Sequence, residues 1–249
     1  MVRSGAARPA TATRAILLRS VAYGEADRIV TLLTDEHGKL AVIARGARRS
    51  QKRFAGALEP FALIYAEVAL GSGEVGRLAG ARVLRGYPRI LGSLARMELA
   101  GHALELVREL VPAREPDPRF VETIVELFDR LEEEDGGVPE SRLAFEMRFL
   151  AIAGLAPRLD ACGRCGTRAE ERAALFDPGL GAIVCRSCGG GPIHLASATR
   201  SRMMASMRDD WTEAARGWTA REITEATGAI DAFARRHVGS ARATETEAR

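Results

Sequence analysis

Arg28-Ile-Val-Thr-Leu-Leu-Thr-Asp-Glu-His-Gly-Lys-Leu-Ala-Val-Ile-Ala44 places two runs rich in Ile, Leu and Val on either side of the turn signal Asp35-Glu36-His37-Gly38. Runs of this kind, bounded by Gly and Asp, read as β-strands at 28–34 and 38–44. Outward from them, residues 14–21 form a further strand across the turn signal Tyr23-Gly24-Glu25, and residues 61–70 and 75–86 supply two more. Five short strands in about 75 residues fit a small closed barrel better than a sandwich.

After Pro88 the apolar period changes from two to 3.6. Leu91, Leu94, Met97, Leu104, Val107 and Val111 make one stripe, which predicts a long helix over 89–111. Val121, Ile124, Leu127, Phe128 and Leu131 mark a second helix, ending in the acidic run Glu132–Asp135. A third, about 140–154, is apolar nearly all round and so expected to be buried on several sides. Two more are expected near 197–209 and 219–238. The aperiodic residues 1–12 read as a disordered extension, and 240–249 as a frayed polar tail. The fold class is therefore α+β, with strands at 13–88 and helices at 89–239.

Composition narrows the function classes. At 47% apolar residues the chain can bury a core, and its best apolar run, Phe61–Leu70, is broken by Glu67, which excludes a membrane span. The net charge of +3 hides an asymmetry: residues 1–90 carry 15 Arg and Lys against 7 Asp and Glu, whereas residues 91–160 carry 8 against 15. A basic amino-terminal part points to a nucleic-acid face, and the acidic middle to another partner.

The basic charge is densest in Arg45-Gly46-Ala47-Arg48-Arg49-Ser50-Gln51-Lys52-Arg53-Phe54, directly after the third strand. Cations at Arg45, Arg48, Arg49, Lys52 and Arg53 suit a loop that tracks a phosphate backbone, with Phe54 as its candidate stacking aromatic. Arg14, Arg28 and Lys39 are further candidates on the strands.

All four cysteines fall as Cys162-x2-Cys165 and Cys185-x2-Cys188, with nineteen residues between the pairs. Two such pairs, each followed by glycine (Gly166, Gly189), converge naturally on one tetrahedral ion, which reads as a structural Zn2+ site with a closed shell. Two disulfides or free core thiols fit less well, because residues 1–15 hold no apolar signal-peptide core and point to a reducing compartment. His194 reads as a solvated loop histidine rather than a ligand.

Enzyme signatures are missing. The phosphate-binding pattern G-x4-G-K-[ST] fails at Leu33 and Leu40, and His37, His102, His194 and His237 form no H-E-x-x-H motif. Glu98, Glu105, Glu109, Glu122 and Glu126 follow solvent-face spacing.

Taken in order, Tyr23-Gly24-Glu25-Ala26-Asp27, Thr34–Lys39, Ala44–Arg49 and Gly56-Ala57-Leu58-Glu59-Pro60-Phe61 closely resemble the amino-terminal domain of the bacterial recombination mediator family RecO. The resemblance continues through Pro88-Arg89-Ile90 and Gly154–Asp160 into the cysteines. It implies an OB-fold barrel at 13–88 and a helical domain at 89–239, with a zinc module at about 158–194 inserted in it. The resemblance carries the DNA-binding role directly onto the cations of the loop at 45–53 and more weakly onto Arg14, Arg28 and Lys39. It further implies a non-enzymatic cytoplasmic, nucleoid-associated protein of DNA repair. Such a protein binds single- and double-stranded DNA and promotes strand annealing. With RecR it helps load RecA onto strands coated by single-strand-binding protein. The family docks the acidic, Phe-terminated tail of that coating protein on its helical domain, for which Arg148, Arg200 and Arg202 are candidate contacts. The alternative is a zinc-ribbon transcription regulator that reads specific bases.

Overall fold

The structure is a computed structural model; it describes residues 10–246 other than 72, 74, 171 and 209. The chain divides into two compact units, Met1–Glu132 and Glu133–Arg249.

The first unit opens with five strands: β1 (Thr11–Tyr23), β2 (Asp27–Thr34), β3 (Gly38–Ala44), β4 (Ala62–Ala69) and β5 (Val75–Gly86). They close in the order β1-β2-β3-β5-β4, an OB-fold-like barrel. Neighbours are antiparallel except β3 and β5, which run parallel, with Ile43 opposite Arg77. Strand β1 serves both β2 and β4, so Ala15 faces Thr34 on one side and Ile64 on the other. A bulge between Leu17 and Arg19 bends β1 round the barrel. Alternation then sends Leu17, Val30, Leu32, Leu40, Val42, Ile64 and Leu78 into one core. Each such side chain contributes about 1.5–3 kcal/mol on leaving water.

Strand β1 begins at Thr11, which pairs with Val68, so the extension expected at 1–12 gives way to sheet there; residues 1–9 lie outside the described residues. A short helix α1 (Gln51–Phe54) lies between β3 and β4. Phe54, Ala57 and Leu58 belong to the barrel core.

The long helix expected over 89–111 is two helices, α2 (Pro88–Leu91) and α3 (Leu94–Leu110). Gly92 caps the first, and Ser93, extended at φ −141°, starts the second. Glycine and serine are weak helix formers, and the break leaves Leu91 and Leu94 exposed instead of continuing the stripe. From Leu99 onward the stripe is buried through Ala100, Ala103, Leu104 and Val107. Helix α4 (Pro118–Glu132) buries Ile124, Leu127, Phe128 and Leu131. The Phe128 ring meets Tyr87 edge-on at 5.1 Å and Phe61 at 6.0 Å. These contacts join α4 to the segments at the start of β4 and the end of β5, within the compact unit Met1–Glu132.

The second unit holds α5 (Val138–Ile152), whose Leu143, Phe145, Met147, Phe149 and Leu150 are all buried, as its apolar circumference predicts. A four-stranded sheet follows, from β6 (Arg158–Cys162), β7 (Ala174–Asp177), β8 (Ala182–Val184) and β9 (Ile193–Leu195), in the order β6-β8-β7-β9. Then come α6 (Ser197–Ala205), α7 (Trp211–Ala214) and α8 (Ala220–Thr246). The backbone of α8 runs on into the region expected to fray from 240; residues 247–249 lie outside the described residues. Phe176, Leu195, Met203, Ile230 and Phe233 join sheet and helices in one core. Arg216 answers the acidic run, reaching Glu133 at 2.8 Å and Asp135 at 3.4 Å. Among the described residues no helix is long and apolar enough to cross a membrane.

Candidate nucleic-acid interface and cysteine centre

The connection from β3 to α1 is a chain of turns pinned to the turn between β1 and β2. The Gly46 N–H donates to Asp27 Oδ1 at 2.7 Å, the Arg48 N–H to the Ala26 carbonyl at 3.0 Å, and the Arg48 guanidinium to the Glu25 carbonyl at 3.2 Å. Ser50 then caps α1, its hydroxyl accepting the Arg53 N–H. The Arg53 guanidinium closes the loop by donating to the Arg45 carbonyl at 2.7 Å. Backbone bonds, the Asp27 carboxylate, the Ser50 hydroxyl and the Arg48 and Arg53 guanidinium groups thus fix the loop, while Arg45, Arg48, Arg49, Lys52 and Arg53 all stay exposed. Their only ion-pair partner among the described residues is Glu25, 3.9 Å from Arg49 and itself almost fully exposed. A pair of that kind contributes little and leaves the cation available.

The strand cations divide. Arg28 stands opposite Ala44 at the loop end of the barrel, and with Arg48, Ser50, Phe54 and Glu59 it lines a shallow cavity of about 520 Å³. Arg14 and Lys39 belong to the other end. Arg14 holds Asp35 at 2.6 Å, a bond that also raises its own pKa, and the Lys39 ammonium donates to the Arg108 carbonyl at the end of α3. The sequence grouping therefore brings Arg28 to the loop and leaves Arg14 and Lys39 a strand length away.

Phe54 is not a stacking platform. Helix α1 turns the ring inward, where it is 3% exposed within the barrel core, and the Arg53 guanidinium covers it at 5.2 Å. Two cations absent from the sequence reading do share the outer sheet surface beside the loop. Arg19 follows the β1 bulge opposite Thr31, and Arg77 lies beside Ile43 across the parallel seam. The alternation of β5, with Gly76 and Leu78 buried, was a signal that Arg77 points out; its neighbours were not.

In the second unit the four cysteine sulfurs lie within 4.8 Å of one another, and none is in a disulfide. Cys165 Sγ and Cys185 Sγ are 3.7 Å apart. An ion with bonds of about 2.3 Å to four tetrahedral sulfurs spaces them by about 3.8 Å, so the cluster fits such an ion. Each pair sits on a tight turn that needs the left-handed region at its glycine, φ 76° at Gly166 and 101° at Gly189. The Gly166 N–H returns to the Cys162 carbonyl at 2.9 Å. N–H groups of Cys185, Cys165 and Arg164 bring the Cys162 thiol down to about 6. The neighbouring thiols of Cys185 and Cys165 push Cys188 up to about 12. Four thiolates this close repel one another, and a divalent cation removes that conflict. His194 is on strand β9 rather than in a loop; it is exposed and lies outside the sulfur cluster.

Of the three arginines expected to contact a peptide tail, Arg200 is 2% exposed, with its guanidinium donating to the Leu159 and Glu170 carbonyls. It ties α6 to the chain on both sides of the first cysteine pair and is not a surface contact. Arg202 is held by Glu222 at 3.2 Å and the Arg216 carbonyl, and Arg148 donates to the Met207 carbonyl.

Comparison with known proteins agrees with this architecture along almost its whole length. The family model described as recombination protein O N terminal matches residues 10–87, and that described as recombination protein O C terminal matches 91–245. The DNA repair protein RecO of Anaeromyxobacter sp. strain K is 42% identical over 231 residues, 90% of each chain. That of Myxococcus xanthus is 45% identical over 175 residues, 70% of this chain and 71% of its own. That of Geobacter sulfurreducens is 40% identical over 181 residues, 72% and 74% of the two chains. With both halves matched in order and relatives alike over most of their length, this chain belongs to the RecO family of DNA repair proteins.

Proposed function

We propose that this protein is a recombination mediator that holds DNA through the turn-pinned cations Arg45, Arg48, Arg49, Lys52 and Arg53, joined by Arg28. The observation that carries the reading is their exposure on a loop fixed by Asp27 and Ala26. Cations presented this way neutralise phosphates without reading bases, which suits sequence-independent contact with single and double strands. Annealing brings two polyanions together, so it needs charge compensation and no covalent step; the protein acts without being an enzyme.

The cysteines would hold one Zn2+, a structural ion that supplies folding energy to the β6–β9 module. In this reading the protein works in the cytoplasm at the nucleoid. It cooperates with RecR to load RecA on strands coated by single-strand-binding protein, whose tail docks on the helical part. Arg14 and Lys39, already engaged at the far end of the barrel, have a lesser share in DNA contact. A strand-annealing assay tests this reading: the protein should accelerate pairing of complementary oligonucleotides, also when single-strand-binding protein coats them. No acceleration in either condition would overturn it.

A further inference from the structure

The outer barrel surface beside the loop carries an apolar strip that electrostatic contact leaves unused. Beyond the bulge, Arg19, Val21 and Tyr23 alternate onto one face of β1. Pairing sets Val21 beside Ile29, Ile29 beside Ile43, and Ile43 beside Arg77. Val30 and Val42, one residue along, face the core and are fully buried, which fixes the strip as outward. Tyr23 is 53% exposed and Val21 43%. A tyrosine ring left half in water on an apolar strip is a surface that binds flat partners while its hydroxyl stays wet. Arg19 and Arg77 rim the strip, and neither is in an ion pair among the described residues. The turn that follows Tyr23 is the one that holds the basic loop, through Glu25, Ala26 and Asp27. Ring and cations therefore form one connected piece.

We infer that Tyr23, backed by Val21 and Ile29, is a stacking platform for an unpaired base of a single strand whose phosphates lie on the loop cations. The inference rests on the reading of that loop as a DNA contact. A duplex keeps its base faces stacked inside, so the platform favours single strands, whereas the cations serve both forms.

The test uses the full metal-bearing chain, a labelled oligothymidine and a labelled duplex, with Tyr23→Ala and Tyr23→Phe compared across a salt series. Stacking on one aromatic predicts about a ten-fold loss of single-strand affinity for Tyr23→Ala, with duplex affinity and Tyr23→Phe within about two-fold of the parent. The slope of affinity against salt should not change, because no phosphate contact is removed. The platform is overturned if Tyr23→Ala binds single strands like the parent, weakens both forms equally, or flattens the salt slope. Loss in Tyr23→Phe also overturns it. Should the parent bind neither form with salt dependence, the reading of the loop fails and the platform with it; a steep parent slope with an indifferent Tyr23→Ala defeats the platform alone.

Discussion

The carboxylate of Asp27 accepts the backbone N–H of Gly46 at 2.7 Å, so the turn after β1 sets the position of the basic loop after β3. Two segments nineteen residues apart in sequence act as one structural piece, which gives the Tyr23–Asp27 and Ala44–Arg49 blocks a shared physical reason. Asp27→Ala should leave the Gly46 amide without its charged acceptor and cost about 1.5–3 kcal/mol. Denaturant unfolding and hydrogen exchange at Gly46 check this. An unchanged midpoint with unchanged protection at Gly46 would mean the bond does not hold the loop.

The cysteine cluster predicts one tightly bound metal ion per chain, read by metal analysis of protein purified without chelators. Cys165→Ser leaves three thiolates, and should lower metal content and the yield of folded protein while DNA binding survives in what folds. A metal content near zero in the parent contradicts the site.

Arg200 is buried with two carbonyl partners, one on each side of the Cys162–Cys165 turn. Arg200→Met removes the donors and strands those carbonyls, at about 2–4 kcal/mol. Metal release to a chelator should quicken as the module loosens. Arg200→Lys, with one ammonium in place of a planar fork, should recover only part of both. A neutral Arg200→Met would show that solvent replaces the lost bonds.

Helix α8 begins with a reciprocal cap. The Thr219 N–H donates to Glu222 Oε2 at 2.8 Å, and the Glu222 N–H donates to the Thr219 hydroxyl at 3.3 Å. That backbone bond, then the Thr219 hydroxyl and Arg202, hold the Glu222 carboxyl below the usual carboxylate range. A carboxyl depressed in the folded state adds stability that is full above its unfolded pKa, about 4.3, and is lost as pH falls through the folded value. Glu222→Gln should therefore cost about 1 kcal/mol at neutral pH and flatten the acid side of the stability profile. Denaturant unfolding from pH 3 to 7 reads both. Parallel profiles for parent and variant would rule this out.

The sequence made some of these features legible and hid others for physical reasons. Period-two runs and their Gly or Asp turns located all five barrel strands, because each strand alternates between a packed and a wetter face. Closure was another matter. The parallel β3–β5 seam carries no local turn signal, and without it Arg77 cannot be placed beside Ile43. Phe54 reads as exposed because cations precede it, yet a single turn of helix reverses its direction. The sulfurs were legible from spacing alone, whereas strands of three to five residues around them are too short for periodicity to register.

The central claim is that the loop cations supply the electrostatic contact with DNA, and the salt dependence of single-strand affinity measures it directly. Replacing Arg45, Arg48, Arg49, Lys52 and Arg53 with alanine removes five exposed charges and no core residue, so circular dichroism should stay native. At about 0.7 per phosphate contact, the slope of log K against log salt should become shallower by about 3.5, with a steep fall in affinity at low salt. A folded variant that keeps the parent slope and affinity would contradict the account.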